Sequence, residues 1–143
     1  MAKSVYLASP FFNDSEISAM NDVKDVLENV HHLDVFAPYE HQNKHLQFGS
    51  MEWREATYTG DVAGILGSDI VVAVINGNYM DSGTAWEVGF AVAVGIPVIV
   101  VNVGKEVNLM IANSLTAYLD DIEELKKYDF ETLPAKPYKE YVW

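Results

Sequence analysis

The chain contains no cysteine, which excludes disulfides, thiolate catalysis and a cysteine-ligated zinc site. It is also poor in positive charge: nine Lys and Arg stand against 21 Asp and Glu, for a net charge of −12. The few basic residues are scattered, so no basic face exists to meet a phosphate backbone, and a nucleic-acid polymer is not an expected partner. Long apolar runs are missing, and the N-terminal MAKSVYLASPFF lacks the apolar core and cleavage site of a signal peptide. No membrane association is expected, and a cytoplasmic location is. The four histidines, His31, His32, His41 and His45, show no H-E-x-x-H spacing, and neither metal nor cofactor is expected. No G-x-G-x-x-G follows the first strand and no G-x-x-x-x-G-K-[ST] occurs, which argues against the common dinucleotide and triphosphate modes.

What is present is a core. Half of the 143 residues are apolar, enough for one domain over residues 1–143. Ser4 to Ser9 reads as a buried first strand bounded by Pro10. Asn13 with Glu16 three residues on starts a helix whose Ile17, Met20, Val23, Leu27 and Val30 recur at helical spacing. Asp34 to Ala37 is a second strand, and Pro38 to Ser50 a long polar loop of the kind more often functional than not. A helix from Met51 ends at Gly67; strands at Asp69 to Ile75 and Pro97 to Asn102 flank another helix, placed at Trp86 to Val94. Val107 to Ser114 suits a short helix, Thr116 to Leu119 an edge strand, and Asp120 to Tyr128 a helix with acids first and lysines last. The unbroken apolar character of DIVVAVI and PVIVVN suggests strands covered on both faces. The fold predicted is α/β, a flavodoxin-like (Rossmann-like) three-layer sandwich with a five-stranded, mostly parallel sheet.

The stretch Asp81 to Ala91, DSGTAWEVGFA, is the loop-to-helix corner where such sheets bind ligands. Thr84 and Glu87 form a T-x-x-E capping box, and on pattern alone that is the better reading of Glu87. The alternative is an anionic nucleophile, held rigid in the first helical turn and kept ionised by the helix dipole. Asp81 suits a turn, or a general acid whose repulsion with Glu87 raises one of the two pKa values. The small Gly83 lies between them. Asp61 is either an exposed helical position or an acid aimed at a sugar hydroxyl. Tyr6 reads as core or as a phenol orienting a carboxylate. Phe11, Phe12, Trp53 and Trp86 read as packing, or as a flat slot for a heterocycle.

VYLASPFF, FAPYEHQ, EATYTGDVAGI, DIVVAVINGNYMDSGTAWEVGFAVAVGIPVIVV and VNLMIANSL, in that order and spacing, resemble the nucleoside 2-deoxyribosyltransferases. The D-x-G-x-x-x-E-x-G-x-A pattern with an upstream Y-x-x-D carries the likeness. The resemblance implies transfer of 2-deoxyribose between nucleobases, in nucleotide salvage, by a retaining double displacement through a covalent deoxyribosyl-glutamate. It implies Glu87 as nucleophile, Asp81 handling the proton of the base, Asp61 holding the sugar hydroxyls, Tyr6 positioning the nucleophile and Gln42 reaching the base. Asn108 and Met110 match positions supplied by a neighbouring subunit, so a dimer-based homo-oligomer, commonly a hexamer, is implied. The expected partners are 2-deoxynucleosides and free nucleobases. The segment from His41 to Ser50 is compressed relative to the family, which leaves base preference open, and the terminal Trp143 falls where the family brings its C-terminus near the site.

Two other readings belong beside this one. A hydrolase of 2-deoxynucleoside 5-phosphates would want a small, Gly- and Ser-rich first loop, often with Arg, whereas the loop here is SPFFND. A non-catalytic nucleoside-binding module would not require Glu87, Asp81, Asp61 and Tyr6 together.

Overall fold

Alternate residues of each central strand point to opposite faces, and in this chain both sets are apolar. A computed structural model describes residues 2–77, 79–102 and 107–142. Strands β1 (Ser4–Ala8), β2 (Asp34–Phe36), β3 (Ile70–Ile75), β4 (Val98–Asn102) and β5 (Ala117–Leu119) form one sheet in the order β2-β1-β3-β4-β5. Every pairing is parallel, so the expectation of a mostly parallel sheet is met in its strictest form.

One face of the sheet, with Val5, Leu7, Val72, Val74, Ile99 and Val101, packs on helix α1 (Asp14–Asp25), a π-helical turn at Val26–Val30 and helix α5 (Ile122–Lys127). The other, with Tyr6, Ala8, Val71, Ala73 and Ile75, packs on α2 (Met51–Leu66), α3 (Ser82–Ala93) and α4 (Leu109–Ser114). Both cores are built mainly of apolar side chains, worth about 25 cal/mol for each Å² of apolar surface removed from water.

Helix ends follow the side chains that satisfy their free amides. Asn13 accepts from the Glu16 amide at 2.9 Å, and Glu16 reaches back to the Phe12 amide at 2.9 Å. Ser50 caps α2 by accepting from the Trp53 amide, and Gly67 terminates it. Helix α5 begins on Asp121 with Glu123 and Glu124 in its first turn and ends with Lys126 and Lys127, shorter than Asp120 to Tyr128. Among the described residues, no helix is long and apolar enough to cross a membrane.

The capping box assigned to Thr84 and Glu87 is not what starts α3. The helix begins four residues before Trp86, because Asp81 is its cap: the carboxylate accepts from the Thr84 amide at 3.1 Å. A carboxylate is the stronger acceptor for a helix N-terminus than a hydroxyl. Thr84 is thereby drawn into the first turn and buried, and Glu87 moves to the second turn, beyond the first-turn reach of the dipole.

Candidate active site

In a sheet of this order the chain leaves β1 toward β2 and then crosses back over β1 to reach β3. The loops after β1 and β3 therefore part company, and the crevice between them is where such folds hold ligands. A cavity of about 890 Å³ opens there. Its walls are Ser9 to Phe12 after β1, the loop around Gln42, the face of α2 from Trp53 to Val62, and the start of α3 with Asp81, Gly83 and Glu87. Three carboxylates thus meet an aromatic wall.

Glu87 is the best fixed of the three. The hydroxyl of Tyr6, a fully buried residue of β1, donates a short hydrogen bond to Glu87 Oε2 across 81 residues of sequence. Burial pushes the Glu87 carboxyl up to about 7; the Tyr6 bond pulls it down, and the charges of Asp61 and Asp81 raise it further. The expected repulsion from Asp81 is present but is the smallest contribution, and the helix dipole is not what keeps Glu87 ionised. Tyr6 itself, buried and beside a carboxylate, is pushed far above an ordinary phenol and stays a donor.

Asp61 is half-buried rather than an exposed helical position, and lines the cavity. Burial raises it to about 6, against an opposing pull from the His41 imidazole. Asp81 commits one oxygen to the cap of α3, and a methyl group at Gly83 would lie 3.1 Å from that oxygen, so the glycine keeps the carboxylate seated. Gln42 also lines the cavity; its amide nitrogen donates to the Tyr39 carbonyl at 2.6 Å, and its own carbonyl accepts from the Trp53 indole at 3.1 Å. With one of the two amide N–H groups engaged, its side-chain oxygen and the second N–H are left for a ligand. Phe12, 78% exposed, and Trp53 with Phe48 against it complete the apolar wall.

Asn108 and Met110 are not brought to this cavity within the chain. Asn108 caps α4 by accepting from the Met110 amide at 2.9 Å, and Met110 is 70% exposed. Trp143 lies outside the described residues. Sequence reasoning passed over His41, Lys44, Phe48, Thr57 and Tyr58, all of which line the cavity. For Thr57 a signal existed: it falls midway between Trp53 and Asp61 at steps of four, one stripe of α2. His41 and Phe48 sit on an aperiodic loop where spacing carries no information.

Comparison with known proteins matches this geometry to a family. The nucleoside 2-deoxyribosyltransferase family model matches residues 5–121. A solved structure of a 2-deoxyribosyltransferase from Bacillus psychrosaccharolyticus superposes with a TM-score of 0.90 at 41% identity, covering 95% of this chain and 99% of that one. A nucleoside deoxyribosyltransferase of Limosilactobacillus fermentum is 31% identical, the match covering 94% of this chain and 90% of the relative. Another from Lactobacillus leichmannii is 25% identical, with 90% of each covered. Matched over most of its length, the chain belongs to the nucleoside 2-deoxyribosyltransferase family and is an enzyme of that type.

Proposed function

We propose that the protein exchanges the nucleobase of 2-deoxynucleosides by a retaining double displacement, and that Glu87 carries the sugar between the two bases. One observation bears most of the weight: the Glu87 carboxylate faces the switch-point cavity and is held from below by the Tyr6 phenol. In the first step a Glu87 oxygen bonds to the anomeric carbon as the carbon–nitrogen bond breaks and its electron pair leaves with the base. The transition state is oxocarbenium-like, so a fixed carboxylate stabilises its charge before trapping it. A second base then attacks the glycosyl ester, releasing Glu87 and restoring the original configuration. A 2-hydroxyl would withdraw electrons from that cation, which makes the 2-deoxy sugar the easier substrate. Transfer also requires that water be kept out while bases exchange, and the aromatic wall serves that end.

The departing base needs a proton. Family likeness gives this role to Asp81, but two features favour Asp61. Asp81 has an oxygen occupied as a helix cap, whereas Asp61 is desolvated and raised to about 6, well above an ordinary aspartate and nearer the pH at which a proton donor must act. Asp81 then keeps its second oxygen for a sugar hydroxyl. Exchange needs Glu87 ionised and Asp61 protonated. With the two groups titrating near 7 and 6, the proton of the singly protonated pair rests mainly on Glu87 and the productive arrangement is the minority form of that pair; its population still peaks between those values, so kcat/KM should fall on either side.

The active form is read as a homo-oligomer in which a neighbour's Asn108 and Met110 approach the cavity mouth. In its support, Glu87 is the sole charged residue of α3, and the exposed side of that helix presents Trp86, Gly89, Val92 and Ala93. A monomer by light scattering at assay concentration would overturn this part. For the reaction, the protein is incubated with a 2-deoxynucleoside and a different free base. The swapped nucleoside is expected, with a deoxyribosyl mass increment on the Glu87 peptide during slow turnover. Release of free sugar at a rate indifferent to the acceptor base would point instead to a hydrolase.

A further inference from the structure

We propose that Gly64 is a positioning residue: the missing side chain there lets α2 rest directly on the Tyr6 and Phe36 rings, and this close approach fixes the phenol under Glu87. The inference rests on the reading of Glu87 as the nucleophile. A methyl group built on Gly64 would lie 2.9 Å from Phe36 Cε1 and 3.1 Å from both Phe36 Cδ1 and Tyr6 Cδ2. Carbon atoms in contact prefer about 3.5 to 4.0 Å, so something must move.

The surroundings decide what moves. The end of α2 is pinned: Ile65 is fully buried, the Ser68 hydroxyl donates to the Gly64 carbonyl at 2.7 Å, and the Ser68 amide donates to the Ile65 carbonyl at 3.0 Å. The Tyr6 backbone is pinned as well, between Phe36 of β2 and Val71 of β3. The free coordinates are the ring torsions. Tyr6 stacks on Phe36 at 5.6 Å and 14°, and Phe36 stacks on His41 at 4.3 Å and 3°, so the three rings shift together. Tilting the Tyr6 ring swings its hydroxyl, the atom farthest from the backbone, away from Glu87 Oε2. Asp61 lies one turn before Gly64 on the same helix face, so the glycine also sets how near that carboxyl comes to Glu87.

The charged groups facing Glu87 are Asp61 from α2 and Asp81 from the start of α3, with His41 behind Asp61. Tyr6 supplies the hydrogen bond that favours the ionised carboxylate. Moving the phenol therefore leaves Glu87 harder to ionise and the transition state less well placed.

The test compares Gly64→Ala with Gly60→Ala one turn earlier, where an added methyl meets nothing within 4 Å. Gly64→Ala is expected to lower kcat by up to about tenfold, no more than loss of the phenol itself costs, with KM little changed. Its descending pH limb, which the higher-titrating Glu87 sets, and the carbon-13 titration of the Glu87 carboxyl in the free protein should both move to higher pH. Gly60→Ala should leave all of these in place. On a Tyr6→Phe background, Gly64→Ala should add little further loss, since the group it displaces is already gone. If Gly64→Ala fails to fold, Phe36→Leu/Gly64→Ala gives the methyl room and should keep most of the activity of Phe36→Leu. Equal losses from Gly64→Ala with and without the Tyr6 hydroxyl, an unmoved Glu87 titration, or no recovery with Phe36→Leu would overturn the proposal. The titration is read without turnover; if it shifts as expected while Glu87→Ala remains active, the nucleophile assignment is wrong and the positioning role stands.

Discussion

The two faces of the sheet are built from the same strands and serve opposite ends. On the α1 and α5 side, Val5, Leu7, Val72, Val74, Ile99 and Val101 meet Met20, Val23, Leu27 and Leu125, and the cluster is closed. On the α2 and α3 side β1 ends in the small Ala8, and Tyr6 brings a hydroxyl against Val71, Ala73 and Ile75. The small residue at the end of β1 leaves space, and the cavity with its three carboxylates occupies the region between α2 and α3. One face contributes stability, and the other gives some up to hold carboxyl groups out of water.

The comparison can be broken most severely at Glu87. Glu87→Ala should lower base exchange by at least about 10⁴-fold, as loss of a covalent nucleophile does, while the circular dichroism stays native. On the closed face the effect should be inverted. Leu27→Ala should cost about 2 to 5 kcal/mol in denaturant unfolding, yet the folded fraction should exchange bases at the unmutated rate.

A third experiment asks what the open face costs. The Glu87 carboxyl is raised in the folded protein from 4.5 to about 7, so its ionisation opposes folding. That penalty is absent below the ordinary carboxylate range, grows as pH rises from there, and is complete above about 7. Glu87→Gln should therefore match the unmutated protein in stability at acid pH and exceed it by about 3 kcal/mol at alkaline pH. A constant difference across pH would contradict the assignment. The smallest effect is expected from Tyr6→Phe: about a tenfold loss in kcat with a shift of the alkaline limb to higher pH, since one charge-assisted hydrogen bond is removed and the ring remains.

The closed face was legible in the sequence because periodicity is its whole content. DIVVAVI and PVIVVN became β3 and β4, and the spacing from Ile17 to Leu27 became α1, with the π-helical turn at Val26–Val30 beyond what a 3.6-residue pattern can announce. The open face was legible in its members and not in its arrangement. Glu87, Asp81, Asp61, Tyr6, Gln42, Gly83, Phe12 and Trp53 do line or support one cavity. Three local competitions went unseen. Asp81 outbid Thr84 for the helix start, burial outweighed the dipole at Glu87, and the Trp53 indole tied down the loop at Gln42. The burial of Glu87 depends on how residues far apart in sequence come to share space, whereas the other two were settled three and eleven positions away, between rival partners that pattern alone does not rank.

The bond between Tyr6 and Glu87 has a bearing on the order of events in folding. Its partners lie 81 positions apart, on the first strand and the third helix. Helix formation is local and fast, whereas parallel pairing of β1 with β3 must first close a long loop. The nucleophile is therefore assembled only when the centre of the sheet is complete. In a refolding experiment the recovery of base exchange would be a clock for that event, lagging the return of helical signal by the time the chain needs to close its middle.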